Sequence, residues 1–167
     1  IKFSHPYYEF EKKSILGDGD THKGILQRWL ISELDRISDP QNEFYPALFE
    51  YSFGEGYGKP KNSSSEAVTI CDEIKVKGKI DRLEFDKNYG YFKVADYKTR
   101  GTSLPSIKDV KEGKKFQIPI YLAAASVFLE KKFAIKEILP AGGIYYFFVA
   151  EAEKGKVARH KHFLAAE

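Results

Sequence analysis

The chain has 167 residues, 43% of them hydrophobic and 31% charged, with a formal net charge of +3. That is enough for one globular domain with a sizeable core and too little for two ordinary ones. The near-balanced charge excludes a polycationic signature, so nucleic-acid contact would need a local basic face; the single cysteine, Cys71, excludes a disulfide framework and a multi-cysteine metal site.

In chain order, residues 1–16 are aromatic and charged without a clear period and read as a cut end. Thr21 can cap a helix to about Ile37, with Ile25, Leu26, Trp29, Leu30 and Leu34 as its apolar face. Asp39-Pro40 ends it. Phe44–Phe53 reads as a strand whose first half Pro46 confines to an edge or lead-in. Gly54–Glu66 is a Gly/Ser/Lys loop expected to be mobile. Two strand-like runs follow, about Val68–Phe85 and Tyr91–Thr99, around the turn-rich Asp86-Lys87-Asn88-Tyr89-Gly90.

Cys71, inside the first of these runs, reads as a small core residue, and a lone cysteine fits a reducing cytoplasm. A basic loop over Lys108–Lys115 leads to a helix from about Phe116 to Lys131. Gly142 and Gly143 precede a buried strand, Ile144–Val149, and His160 and His162 lie on a charged tail that reads as solvated. No apolar run approaches the roughly 20 residues of a membrane span. The chain lacks methionine even at position 1, so the expectation is an excised piece of a longer protein, unless its methionines were replaced. Strands mixed with two long helices predict a single α/β or α+β domain around one sheet.

The stretch VADYKTRG, residues 94–101, carries the chemistry. An apolar strand ends in an acid and a lysine two residues apart, and charges on a half-buried strand are costly unless paired or bound to an ion. With the turn centred between Asn88 and Tyr89, antiparallel pairing sets Phe85 opposite Phe92, Leu83 opposite Val94 and Asp81 opposite Asp96. Lys98 then shares the face of Asp96. Two carboxylates at cross-strand distance, about 4.5–5.5 Å between Cβ atoms, repel unless one is protonated or a cation lies between them. A divalent ion resolves the conflict; so does plain neutralisation by Lys98 or Arg82. A one-residue slip of register would undo the arrangement.

Other polar residues stand out in apolar surroundings. His22, four residues before Leu26, would edge the helix's apolar stripe and, in the first turn, be held neutral and able to bind metal, or simply cap the helix. Gln117 and Tyr121, at i and i+4, share one face of the later helix and need polar partners if buried. Glu50, within FEYSF, also asks for a partner, unless it is exposed on an edge. GDGDTH (residues 17–22) starts like an acidic calcium loop but lacks the later ligands.

Taken together, His22, Glu50, GKIDRLE with Asp81, VADYKT with Asp96 and Lys98, and QIPIY with Gln117 and Tyr121 resemble the RecB-like nucleases of the PD-(D/E)XK superfamily, which include the nuclease domains of RecBCD and AddAB helicase–nucleases. The resemblance covers about Gly19 to Val149. It implies a restriction-endonuclease-like α/β fold, a mixed central β-sheet flanked by helices. It implies that Asp81, Asp96 and His22 bind Mg2+ or Mn2+ with the main-chain carbonyl of Tyr97, and that Lys98 orients or deprotonates the attacking water. Gln117 and Tyr121 would support Lys98 or contact the nucleic-acid backbone, and Glu50 matches a family glutamate. Some relatives carry an iron–sulfur cluster on four cysteines; with Cys71 alone, this piece can hold none.

The expected function is that of a metal-dependent deoxyribonuclease of exonuclease type in DNA repair or recombination. Its substrate would be single-stranded DNA or duplex ends fed by a helicase domain or subunit. The rival readings are a non-catalytic nuclease-like DNA-binding or assembly module, and a structure-specific or restriction endonuclease.

Overall fold

The computed structural model describes residues 6–19, 23–54, 63–99, 105–135, 137–148 and 159–164. Its elements in chain order are α1 (Pro6–Leu16), α2 (Ile25–Ser38), β1 (Phe44–Phe53), β2 (Ser63–Ser64), β3 (Val68–Ile70), β4 (Ile74–Val76), β5 (Gly78–Asp86), β6 (Tyr91–Lys98), α3 (Ile107–Lys111), α4 (Gln117–Phe133), β7 (Leu139–Phe147) and β8 (Arg159–Leu164). Six strands line up as β2-β1-β5-β6-β7-β8, and β3 and β4 pair separately. β1 runs parallel to β2 and antiparallel to β5, which is antiparallel to β6. This is the expected α/β architecture, a mixed central sheet flanked by helices.

The chain divides into two compact units. One gathers Ile1–Asn42, Lys98–Thr102 and Tyr146–His160; the other gathers Glu43–Tyr97, Ser103–Tyr145 and Lys161–Glu167. In the first, α1 and α2 form a helical hairpin closed by an isolated bridge between Gly17 and Lys23. Gly24 is required there, because a Cβ would lie 2.3 Å from the Ile15 carbonyl oxygen. Trp29 of α2 meets Tyr146 and Phe148 edge-on, at ring-centroid distances of 6.2 and 5.6 Å. Glu33 is buried on α2 and takes both Arg36 Nε (3.1 Å) and Nη2 (2.7 Å).

In the second unit the core lies between α4 and the sheet. Tyr51 of β1 stacks on Phe128 of α4 at 4.4 Å, and Phe53 meets Tyr121 edge-on at 6.4 Å. Ala124 and Ala125 are fully buried, small enough to let the helix approach closely. Pro119 falls in the first turn of α4, where a missing N–H costs nothing. The β1–β5 register shifts between Pro46 and Leu48. β2 reaches only Ser52 and Phe53, so proline occupies a stretch of β1 that β2 does not pair.

Several expectations need correction. Residues 6–16 form a helix rather than an irregular end. Helix α2 starts at Ile25 with Gly24 as its N-cap, not at Thr21, which lies outside the described residues. Leu26, Leu30 and Leu34 do not form a buried face; they are 42%, 50% and 55% exposed. The Val68–Phe85 run breaks at a hairpin turn. Cys71 and Asp72 adopt left-handed φ of 51° and 61° there, and Cys71 is exposed rather than in the core. The basic loop contains the short helix α3, whose Ser106 and Asp109 form a capping box. Gly142 and Gly143 lie within β7, and the histidine tail forms β8.

Gly143 marks the closest approach of α4 to β7. A Cβ there would lie 2.3 Å from Ile118 Cγ2, so Gly143→Ala should lower stability by about 1–3 kcal/mol. In a urea double-mutant cycle with Ile118→Ala the two losses should be less than additive. Strict additivity would show that this contact does not limit position 143.

Candidate active site

The β5–β6 hairpin has the register expected from the turn: Phe85 pairs with Phe92 and Leu83 with Val94. Asp86 holds the turn through both carboxylate oxygens, accepting the N–H of Tyr91 (2.7 Å) and of Asn88 (3.1 Å). Tyr89 takes the left-handed φ of 56° that the turn needs. Regular pairing ends at Arg82–Ala95, and continuing the same register by one residue sets Asp81 opposite Asp96. Here side-chain bonds take over from the ladder. The Tyr97 N–H donates to Asp81 Oδ2 at 3.0 Å. Gln117 Nε2 donates to Asp96 Oδ1 at 2.6 Å.

Asp96 is 3% exposed, Asp81 half-buried. A buried carboxylate is costly unless hydrogen-bonded, and Gln117, the first residue of α4, meets part of that cost. Arg82 forms an ion pair with Glu84, and its Nη1 donates to Tyr97 Oη at 3.1 Å.

Glu50 is exposed and ion-paired with Lys79, whose ammonium is held above the usual lysine range first by the hydrogen bond to Glu50, then by the charges of Glu50 and Asp81. The β1–β5 pairs Phe49–Arg82 and Tyr51–Ile80 bracket Glu50 and Asp81. The two register arguments thus put Glu50, Asp81 and Asp96 in one row across three strands. Glu50 holds a left-handed φ of 53° inside a strand, a conformation that costs energy and concentrates at functional sites.

Lys98 closes β6 two residues beyond Asp96, and its carbonyl accepts the Phe148 N–H at 2.8 Å. His22 lies outside the described residues. Among the described residues no group of three His, Cys, Asp or Glu side chains clusters as metal ligands would. The carboxylates that the hairpin end sets side by side, Asp81 and Asp96, present hard oxygens. That chemistry fits Mg2+ or Mn2+ and disfavours softer metals.

Sequence reasoning passed over Tyr145. It sits in the Tyr145-Tyr146-Phe147 run of β7, which reads as plain core. Burial, then the nearby Asp96 carboxylate and Tyr121, push its phenol up to about 12, so it remains a neutral hydroxyl at working pH. A phenol whose folded pKa exceeds its unfolded value of about 10 stabilises the fold below that value and loses this contribution as pH rises through the folded one. Tyr145→Phe should therefore flatten the fall of the urea midpoint between pH 10 and 12. An unchanged slope would show that Tyr145 does not titrate in that window.

A family model described as the PD-(D/E)XK nuclease superfamily matches residues 9–166. The chain is 33% identical over 134 residues to the B-type subunit of the ATP-dependent helicase/deoxyribonuclease of Alkaliphilus metalliredigens (strain QYMF), covering 72% of this chain and 11% of that protein. The protein of the same name from Staphylococcus haemolyticus (strain JCSC1435) is 28% identical over 157 residues, 87% of this chain and 12% of its own length. That from Lachnoclostridium phytofermentans (strain ATCC 700394 / DSM 18823 / ISDg) is 35% identical over 75 residues, 44% and 6% respectively. This chain thus spans between 6% and 12% of these relatives. A match running from α1 to the C-terminal tail takes in the whole β5–β6 hairpin, and by it the chain belongs to the PD-(D/E)XK nuclease superfamily, with B-type helicase/deoxyribonuclease subunits of the RecB-like kind as its relatives.

Proposed function

We propose that residues 1–167 form one nuclease domain of a larger helicase–nuclease. It hydrolyses DNA phosphodiester bonds with a divalent metal, acts from strand ends, and serves DNA repair or recombination in the cytoplasm. The observation that carries this reading is the hairpin end. Asp81 and Asp96 stand on neighbouring strands, each carboxylate oriented by its own donor, at 3.0 and 2.6 Å.

Asp81, Asp96, the Tyr97 carbonyl and His22 are the groups that would hold Mg2+ or Mn2+. When bound, the ion supplies a Lewis acid for the scissile phosphate and lowers the pKa of water. The protein's own residues do the rest. The Tyr97 N–H turns one oxygen of Asp81 inward, leaving the other for coordination. Gln117 orients the Asp96 carboxylate by donating to its Oδ1. Lys98, next-but-one in the DYK run, contributes a positive charge where negative charge builds on the phosphate or, in its neutral form, takes the proton of the attacking water. Tyr145, whose phenol is held neutral by burial and the nearby Asp96 carboxylate, adds no charge that would compete for the cation. Glu50 and Lys79 flank Asp81 as an ion pair that adds no net charge. Lys111, Lys114 and Lys115 beside the exposed Phe116 offer a basic and aromatic surface for single-stranded DNA just before Gln117.

In the intact parent protein, Asp96→Ala should abolish Mg2+-dependent cleavage of linear single-stranded DNA, while the wild type leaves a covalently closed circle uncut. Cleavage by Asp96→Ala at the wild-type rate would overturn the enzyme reading, and cutting of the circle would convert it to an endonuclease. Gln117→Ala should lower activity about 10–100-fold and raise the Mg2+ needed for half-maximal rate, as loss of a group that orients a metal ligand does. A rate and Mg2+ requirement equal to wild type would remove Gln117 from the site.

A further inference from the structure

Arg82 and Glu84 are fully buried, 1% and 0% exposed, and form an ion pair within β5. Desolvating two charges costs several kcal/mol per ion, and apolar residues of similar volume often serve stability as well or better. The pair therefore invites an explanation other than stability. Arg82 has a second contact: its Nη1 crosses from β5 to β6 and donates to the Tyr97 hydroxyl at 3.1 Å. Tyr97 in turn donates its main-chain N–H to Asp81 Oδ2, and it stands between Asp96 and Lys98 in sequence.

The position of these contacts along the hairpin is telling. Backbone pairing of the two strands ends at Arg82–Ala95. The very next residues, Asp81 and Asp96, are the acids of the site. Only the β5 side of the ladder stops there; β6 itself continues to Lys98, whose carbonyl accepts the Phe148 N–H at 2.8 Å. Toward β5, two side-chain bonds take the place of the ladder at Tyr97, Arg82 to the ring hydroxyl and Asp81 to the N–H.

We infer that Arg82, held by Glu84, is a positioning residue. It clamps the Tyr97 phenol and so sets the peptide whose N–H orients Asp81 and whose carbonyl faces the metal site. Glu84 supplies the counter-charge that lets the guanidinium stay buried. Arg82 and Glu84 alternate with Asp81 along β5, so the clamp acts on Tyr97 from the face of the sheet opposite the two acids. The metal arm of this inference rests on the nuclease reading; the clamp itself does not.

Tyr97→Phe tests it, because the ring and the ion pair stay while only the hydroxyl goes. Three readouts are compared with wild type in the intact parent protein: the melting temperature, Mn2+ affinity from the free-ion electron paramagnetic resonance signal, and hydrogen exchange of the residue 97 amide without metal. The expected result is an unchanged melting temperature, Mn2+ binding about 10-fold weaker, and faster exchange of that amide. Faster exchange in a protein whose wild type binds no Mn2+ supports the clamp and sinks the nuclease reading alone. Exchange equal to wild type, or faster exchange only in proportion to a lowered melting temperature, overturns the clamp and leaves the nuclease reading to the Asp96→Ala result.

Discussion

Everything at the site depends on the pairing register of β5 and β6. Side chains alternate between the two faces of a strand, so a slip of one residue would turn every group to the opposite side. Several features pin the register. The pairs Phe85–Phe92 and Leu83–Val94 are buried, and a slip would exchange them for the charged Arg82, Glu84 and Lys93. Asp86 ties down two turn N–H groups, and Tyr89 accepts a left-handed backbone. Hydrophobic burial and turn geometry thus determine where two aspartates stand, though neither aspartate contributes to that burial.

The helix α4 joins this hairpin to the core. Its apolar face fills the space over β1 through Phe128 and Tyr121, and Gly143 lets Ile118 sit against β7. The same helix delivers Gln117, its first residue, to Asp96. A side chain in the first turn of a packed helix loses little further freedom on bonding, so the amide reaches the carboxylate at small entropic cost. Core packing and the orientation of a buried carboxylate are one structural event here.

The site also keeps features that a fold built only for stability would discard. Asp96 is nearly sealed from solvent, Glu50 holds a left-handed backbone in mid-strand, and Arg82 and Glu84 are charges in the interior. Each costs free energy, and they gather along three adjacent strands. Such a concentration of local cost is expected where geometry is maintained for chemistry.

The sequence by itself determined the hairpin and its register, because alternation and turn residues act over a few neighbouring positions. It also made the pair Asp81 and Asp96 legible, since their opposition follows from counting outward from the turn. The bounds of α4 and β1 were legible for the same local reason. What it could not decide were interactions between segments distant in the chain. Cys71 looked like core because it follows Ile70, but whether a strand continues or turns depends on what pairs with it. Leu26, Leu30 and Leu34 looked like a buried stripe because periodicity names a face without saying what covers it. Gln117 was recognised as a polar residue needing a partner, yet only the packing of α4 made Asp96 that partner. Arg82 seemed free to neutralise the acids, and only the folded strands tied it to Glu84 and Tyr97. Periodicity is a property of one segment, whereas a partner is chosen by how segments meet.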